Sequence, residues 1–256
     1  ATVGDAGPAT SRERKEAFVD GVEGFVTLAE RHGVRFARSA DYPDYYPERP
    51  GGKIGRALEV EPFDVHRIGQ WWDTSRGQDG VPAPVKTDDF WLLSRAWSTP
   101  GGLVRGARVV FRVLGSLARR HKDVGMGAAV TAAFLDVALR LGVEVWLSAP
   151  VEDILVEDGR AVGVQSQHDG RTVRVRAEGG VVLAGGGFDH NSEWRQRYQG
   201  VDGSASSGSK GNLGSAIDAG LRAGAAVSLM DEAWWGGSIP AVPEGSPAFL
   251  VSERSM

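Results

Sequence analysis

Cysteine is absent from the 256 residues. Its absence excludes disulfides, thiolate metal sites and cysteine nucleophiles, and it is compatible with the cytoplasm, which is the expected location. Methionine is scarce, with three residues. None opens the chain: Ala1-Thr2-Val3-Gly4 reads as loop, so the chain is expected to begin part-way into a longer protein. No apolar run approaches the roughly 18 residues of a membrane span, and the start has no signal-peptide pattern, so no transmembrane segment is expected. Positive charge is also in short supply. Lys+Arg total 29 against 33 Asp+Glu, a net charge of −4, which argues against nucleic acid as a partner because phosphate contacts need a basic surface.

Several catalytic signatures are missing as well. There is no Gly-x-Ser-x-Gly, no Gly-x-x-x-x-Gly-Lys-Ser/Thr and no His pair at metal spacing. Gly-x-Gly-x-x-Gly is approached only by Gly125-Met126-Gly127, which follows a helix pattern instead of a strand and has Val130 at the third position. Ser207-Gly208-Ser209-Lys210 matches Ser-x-x-Lys by chance, inside a Gly/Ser-rich loop and without the companion motifs. Hydrolase, kinase and metalloenzyme readings find little here. Tyrosine is rare, four residues, and three of them, Tyr42, Tyr45 and Tyr46, share one proline-rich stretch, Asp41–Pro50. Three prolines in that stretch exclude regular structure. The tyrosines either pack under a loop or present phenols to a substrate.

Glycine, by contrast, is abundant at 36 residues, and it falls in pairs and triplets at turns, the habit of nucleotide-binding α/β proteins. Thr10 and Glu13 form a capping-box pattern ahead of an amphipathic helix through Phe18, Val22, Phe25, Val26 and Ala29, ended by Gly33. A short strand is expected from Val34 to Phe36, another within Lys53–Glu61, and an irregular stretch over Pro62–Pro100 containing Trp71, Trp72, Trp91 and Trp97. Leu103–Lys122 reads as a helix with Leu103, Ala107, Val110, Phe111, Leu114, Leu117 and Ala118 on one face and Arg105, Arg108, Arg112 and Arg119 off it, a solvated basic face in preference to one that lies on a membrane or binds a partner. Gly125–Leu141 reads as a second helix whose small residues permit close approach to a sheet or a cofactor.

Strands are then expected at Val143–Leu147, Val151–Val156, Ala161–Gln167 and Thr172–Arg176, the last three joined by Asp158-Gly159 and Asp169-Gly170 as hairpin turns of an antiparallel meander. Val181–Ala184 is uniformly apolar, too short for a helix and without alternation, so it reads as a strand buried on both faces. Gly185-Gly186-Gly187 follows at once, as a tight turn or as a floor beneath a ligand. Helices are expected from Asn191 or Ser192 through Tyr198 and over Asn212–Ala223.

This succession resembles the second half of the FAD-binding domain in the fumarate reductase and succinate dehydrogenase flavoprotein superfamily. The residues that carry the likeness are Gly142-Val143-Glu144-Val145, Pro150-Val151-Glu152-Asp153-Ile154, Gly159-Arg160-Ala161-Val162-Gly163-Val164 and Val181-Val182-Leu183-Ala184-Gly185-Gly186-Gly187-Phe188. Further stretches are similar to the 3-ketosteroid dehydrogenases: Tyr42-Pro43-Asp44-Tyr45-Tyr46-Pro47-Glu48, Gly55-Arg56, Phe188-Asp189-His190-Asn191, Gly211-Asn212-Leu213-Gly214, Asp231-Glu232-Ala233-Trp234-Trp235-Gly236, and Phe249 through Ser252-Glu253-Arg254-Ser255. The resemblance implies an α/β fold: a Rossmann-like, glutathione-reductase-type FAD-binding domain, incomplete, over 1–236, and the beginning of a substrate or catalytic domain over 237–256. It implies FAD as cofactor, a steroid-like substrate and desaturation of a 3-oxosteroid at C1 and C2. It puts Val151, Ala184, Gly185, Gly186, Asn212 and Gly214 at the FAD, Tyr45 beside the catalytic proton acceptor or the steroid, and Tyr42 and Phe249 against the steroid.

The implied chemistry is coherent, since abstracting a proton beside a carbonyl requires a stabilised oxyanion, a base and a hydride acceptor. Phenols suit an apolar cleft, but a tyrosine base must have its pKa lowered from about 10. Departures from the family are also present. Its first strand and phosphate loop would precede Ala1, its catalytic-base tyrosine would follow Met256, and its C-terminal tyrosine and glycine are missing. Ser215 stands where relatives carry an acidic residue. The expectation is a cut piece of a flavoenzyme, inactive alone, whose partners include the remainder of its own polypeptide and an electron acceptor of unknown kind. Two other readings stay open: a fumarate-reductase-like or Δ4-type dehydrogenase, and a noncatalytic binding protein on the same scaffold.

Overall fold

A computed structural model of the chain describes residues 7–75, 83–89, 98–201, 206, 208–233, 235, 238–239 and 248–249. The chain divides into two compact units, Ala1–Val145 and Trp146–Met256. The first packs helices against short antiparallel strands and a 3-10 run. Helix α1, Arg12–Arg31, starts one residue later than the capping-box pattern implies: Ser11 accepts a hydrogen bond from the Arg14 amide at 3.3 Å, while Thr10 belongs to a short 3-10 turn, Gly7–Thr10. Gly33 follows the helix at φ 87°, a left-handed conformation that glycine adopts without strain. Strand β1, Phe36–Ser39, pairs antiparallel with β2, Ala57–Val60, with Phe36 opposite Val60. Strand β3, Phe63–Asp64, pairs antiparallel with β4, Asp123–Val124.

The stretch expected to be irregular contains a 3-10 run, Val65–Thr74, broken at Gly69 and burying Val65, Ile68 and Trp72. Trp91 and Trp97 lie outside the described residues. Helix α2, Pro100–Ala118, is capped by Thr99, whose hydroxyl accepts from the Gly102 amide at 3.1 Å. Helix α3, Met126–Arg140, begins at Gly125, where an added Cβ would overlap the Val85 carbonyl. Ala129, Ala132 and Ala133 of α3 are fully buried against Val60, Phe63, Val65, Ile68 and Trp72. The small side chains of α3 therefore serve close packing within its own unit.

Helix α2 reverses the expected orientation. Leu103, Val110, Phe111, Leu114 and Leu117 are all more than half exposed, Phe111 at 73 %. The inward face carries Gly102, Arg105, Arg112 and Ser116. Buried carboxylates explain the inversion: Arg112 Nη1 donates to Asp89 Oδ2 at 2.6 Å and to the Pro84 carbonyl at 2.6 Å, and Asp89 is 0 % exposed. An ionised carboxylate without a cationic partner is far costlier to bury than a leucine is to expose.

The second unit opens with the meander. Strands β5, Val151–Glu157, β6, Arg160–His168, and β7, Arg171–Arg176, pair antiparallel in sequence order. Asp158 (φ 49°) with Gly159 (φ 75°), and Asp169 (φ 50°) with Gly170 (φ 74°), supply the two left-handed residues of each connecting turn, as the Asp-Gly pairs predict. Helix α4, Ser215–Arg222, is reached through a helical turn at Ser192–Trp194 and a π-helical turn at Arg195–Gln199. It begins three residues later than expected because Gly214 is left-handed at φ 82°, a conformation foreign to a helix interior. Strands β8, Ser238–Ile239, and β9, Ala248–Phe249, pair antiparallel.

Two expected strands do not form. Val143–Leu147 joins no sheet, and Val143 is 52 % exposed. Val181–Ala184 likewise joins no sheet, and Val182 is 90 % exposed instead of buried. A both-face-buried strand requires hydrogen-bonded neighbours and covering layers; among the described residues neither segment has a strand beside it. Helices with small antiparallel sheets thus make up an incomplete α/β domain.

Candidate functional site

The proline-rich loop of the first unit is tied at both ends. Its entry follows β1, where Asp88 accepts from the Ala40 amide at 2.9 Å and the Asp41 amide at 3.2 Å. On its far side Asp44 accepts from the Lys53 amide at 2.8 Å and Arg56 Nε at 2.8 Å, and Pro43 bridges Ile54. The Gly55 amide donates to the Tyr42 carbonyl at 2.8 Å. Gly52 and Gly55 allow this closure. An added Cβ at Gly52 would lie 2.5 Å from the Pro47 carbonyl, and at Gly55 it would overlap that of Ala40.

The structure brings Tyr42 and Tyr45 together on this loop, Tyr42 half-buried and Tyr45 65 % exposed. Burial, and secondarily the neighbouring Tyr45 phenol, push the Tyr42 hydroxyl above its usual pKa. That is the wrong direction for a base, so Tyr42 keeps its proton at neutral pH and offers a neutral hydroxyl and an apolar ring. The Arg56 hydrogen bond, helped by the Lys53 amide, holds the Asp44 carboxyl below the usual range.

In the second unit four of the expected cofactor residues converge. A Cβ on Gly185 would lie 2.6 Å from that of Ala216, and one on Gly186, at φ 79°, 2.5 Å from Asn212 Oδ1. The Gly214 amide donates to the Gly187 carbonyl at 3.0 Å, and Gly214 itself is pressed against Trp194 and Phe188, an added Cβ coming within 2.9 Å and 3.0 Å. The glycines are required, then, by close approach of the chain's own loop and of α4. Asp189 locks the arrangement, accepting from Asn212 Nδ2 at 2.9 Å and Ser206 Oγ at 2.5 Å. Burial raises the Asp189 pKa, but the hydrogen bonds of Ser206 and Asn212, its own backbone and His190 together outweigh it and leave the group below its ordinary value.

Ala184, Gly185 and Gly186 are exposed on the other side, offering a backbone ridge with nothing taller than a methyl group. Such a ridge fits a flat, polar-edged group such as a nucleotide, which can lie on bare peptide planes and accept from their amides. Val151 opens β5 and is 45 % exposed. Its strand is tied to α4 further along, through Arg222 to Asp153 Oδ1 at 3.2 Å and to the Glu152 carbonyl. Phe249 lies in β9 opposite Ser238. Trp234, Ser207 and residues 250–256 lie outside the described residues. Sequence reading gave Asp88 and Glu59 no role, because their contacts join segments far apart in the chain; the adjacent acidic pair Asp88-Asp89 in an otherwise apolar and aromatic stretch was the available signal.

A model of the FAD binding domain matches residues 2–254. The chain belongs to the FAD binding domain family. FAD is the cofactor of that family, in agreement with the expectation. Among curated relatives, the chain is 34 % identical over 268 residues to a 3-oxosteroid 1-dehydrogenase of Mycolicibacterium smegmatis, covering 100 % of the chain and 46 % of the relative. It is 33 % identical over 264 residues to a 3-oxosteroid 1-dehydrogenase of Mycobacterium tuberculosis, covering 98 % of the chain and 46 % of the relative. The crystal structure of 3-ketosteroid delta1-dehydrogenase from Sterolibacterium denitrificans, in complex with 1,4-androstadiene-3,17-dione, is 27 % identical with a TM-score of 0.84, over 95 % of this FAD-family chain and 46 % of that one. The chain spans about half the length of the curated relatives it matches.

Proposed function

We propose that this chain is the FAD-holding part of a flavoenzyme that desaturates a 3-oxosteroid between C1 and C2. The observation that carries the reading is identity of 34 % to a 3-oxosteroid 1-dehydrogenase across 100 % of the chain. In this reading residues 1–236 hold the cofactor and 237–256 open the substrate-facing part. The exposed ridge Ala184-Gly185-Gly186, with Asn212 and Gly214 behind it and Val151 at the adenine, would hold FAD, which supplies a hydride acceptor when bound. By the family resemblance, Tyr42, kept protonated, would be a steroid contact, and Tyr45 would support the group that takes the C2 proton or the steroid ring. The same resemblance assigns Phe249 to the steroid site. The electron acceptor and the rest of the polypeptide complete the system.

The test uses the longest native protein that contains this sequence. A flavin absorption band, dye reduction dependent on a 3-oxosteroid, and a product lighter by two hydrogens are expected. Turnover of a dicarboxylate in place of the steroid would assign the protein to the fumarate-reductase-like alternative, and absence of flavin would leave a binding protein on the same scaffold.

A further inference from the structure

We infer that Asp88, backed by Arg105, is a positioning residue that sets the Tyr42–Tyr45 loop for the dehydrogenation, an inference that rests on the functional reading above. The backbone leaves its sheet after Ser39, so the amides of Ala40 and Asp41 lose ladder partners and must find others. Asp88 meets both at once, Oδ2 accepting from Ala40 at 2.9 Å and Oδ1 from Asp41 at 3.2 Å. Two oxygens on two successive amides fix the direction of the chain as well as its position. Asp88 is 8 % exposed, so these are charge-assisted bonds shielded from water.

The anchor is itself held on three sides. Beside it, Thr87 donates to Glu59 Oε2 through its amide at 2.9 Å and its hydroxyl at 2.8 Å, and Ser39 donates to Glu59 Oε1 at 3.2 Å. Next in sequence, Asp89 is gripped by Arg112 at 2.6 Å and by the Lys86 amide at 2.8 Å. Arg105 then joins anchor to loop, with Nη2 3.3 Å from Asp41 Oδ2 and Nη1 3.7 Å from Asp89 Oδ1. Asp89 Oδ1 is buried without a hydrogen bond of its own, which makes the Arg105 charge its compensation. Tyr42 is the residue immediately after this doubly held Asp41. By comparison, the Asp44 anchor on the far side pairs with an Arg56 that is 59 % exposed, a weaker constraint.

An amide cannot replace this carboxylate. Asp88→Asn keeps the volume but turns an NH2 group toward a backbone N–H, leaving one amide unpaired. The experiment combines amide hydrogen exchange with steady-state kinetics on the longest native protein, using a 3-oxosteroid and a dye acceptor. For Asp88→Asn, exchange over residues 40–46 rises roughly tenfold while that of α1 and α3 is unchanged. The kcat falls roughly 10- to 100-fold at parental flavin content, with little change in KM. In a Tyr45→Phe background the same substitution costs less than about twofold, because the group it positions is already gone.

Unchanged exchange over 40–46 overturns the inference, and so does an equal loss of kcat in both backgrounds, which marks a merely structural role. Should Asp88→Asn fail to fold, Arg105→Lys retains the charge while losing the fork; faster exchange over 40–46 supports the inference and parental exchange overturns it. A parent protein with flavin and no 3-oxosteroid turnover instead refutes the functional reading, whatever the exchange rates.

Discussion

Gly186 shows how one residue carries two demands. It needs a left-handed backbone at φ 79°, and it needs room for Asn212 Oδ1, which would lie 2.5 Å from any Cβ placed there. Gly186→Ala is expected to destabilise the chain by about 1–3 kcal/mol, read as a lowered thermal midpoint. Asp189 makes a different prediction. Its pKa lies below the ordinary value, so its contribution to stability is complete above the unfolded-state pKa and is lost as pH falls through the lower folded value. Thermal melts from neutral pH down to about pH 3 should fall more steeply for the parent than for Asp189→Asn, since the unfolded carboxyl titrates near 3.9. Parallel curves would mean that Ser206 and Asn212 do not favour the charged form. Tyr42 follows the opposite rule for an acid: with its pKa raised, its neutral form is favoured, and that preference is lost only in alkali.

Helix α2 is the element where periodicity located the helix and misjudged its facing. The spacing of Leu103, Ala107, Val110, Phe111, Leu114 and Leu117 correctly implied an amphipathic helix. The choice of inner face was made by Asp89, a residue outside the helix, through its bond to Arg112. Arg112→Leu should therefore cost about 1–3 kcal/mol, since it removes the nearer of the two cations beside the buried Asp89 and leaves Arg105 and the Lys86 amide. Phe111→Ser, on the 73 % exposed side, should change stability by less than about 0.5 kcal/mol. Denaturant unfolding of the two variants checks the pair, and a larger loss for Phe111→Ser would reverse the orientation. The meander was legible in full, because each Asp-Gly turn and each alternating strand is specified by residues adjacent in sequence. Val181–Ala184 was not, since a mid-sheet strand exists only through neighbours that its own residues cannot supply.

Among the described residues the two units differ in how much core they hold. Eleven buried apolar residues of the first unit, from Ala29 to Ala133, form one cluster. In the second, the buried apolar side chains among the described residues are Phe188 and Ala219. Buried area sets resistance to opening, so amides of the second unit should exchange at lower denaturant than those around α3. Simultaneous exposure of both units would show a single cooperative domain.

The residues alone were enough to establish the α/β character, the hairpin turns, the tyrosine loop and the glycine turn, all of which depend on conformations and periodicities that neighbours along the chain impose. Tertiary structure decided which face of α2 turns inward, that Asp88 grips Ala40 and Asp41, and that Asn212 fills the space over Gly186. Each of those outcomes is a meeting of charges or close-packed atoms from segments distant in sequence, and no local pattern encodes which segments will meet.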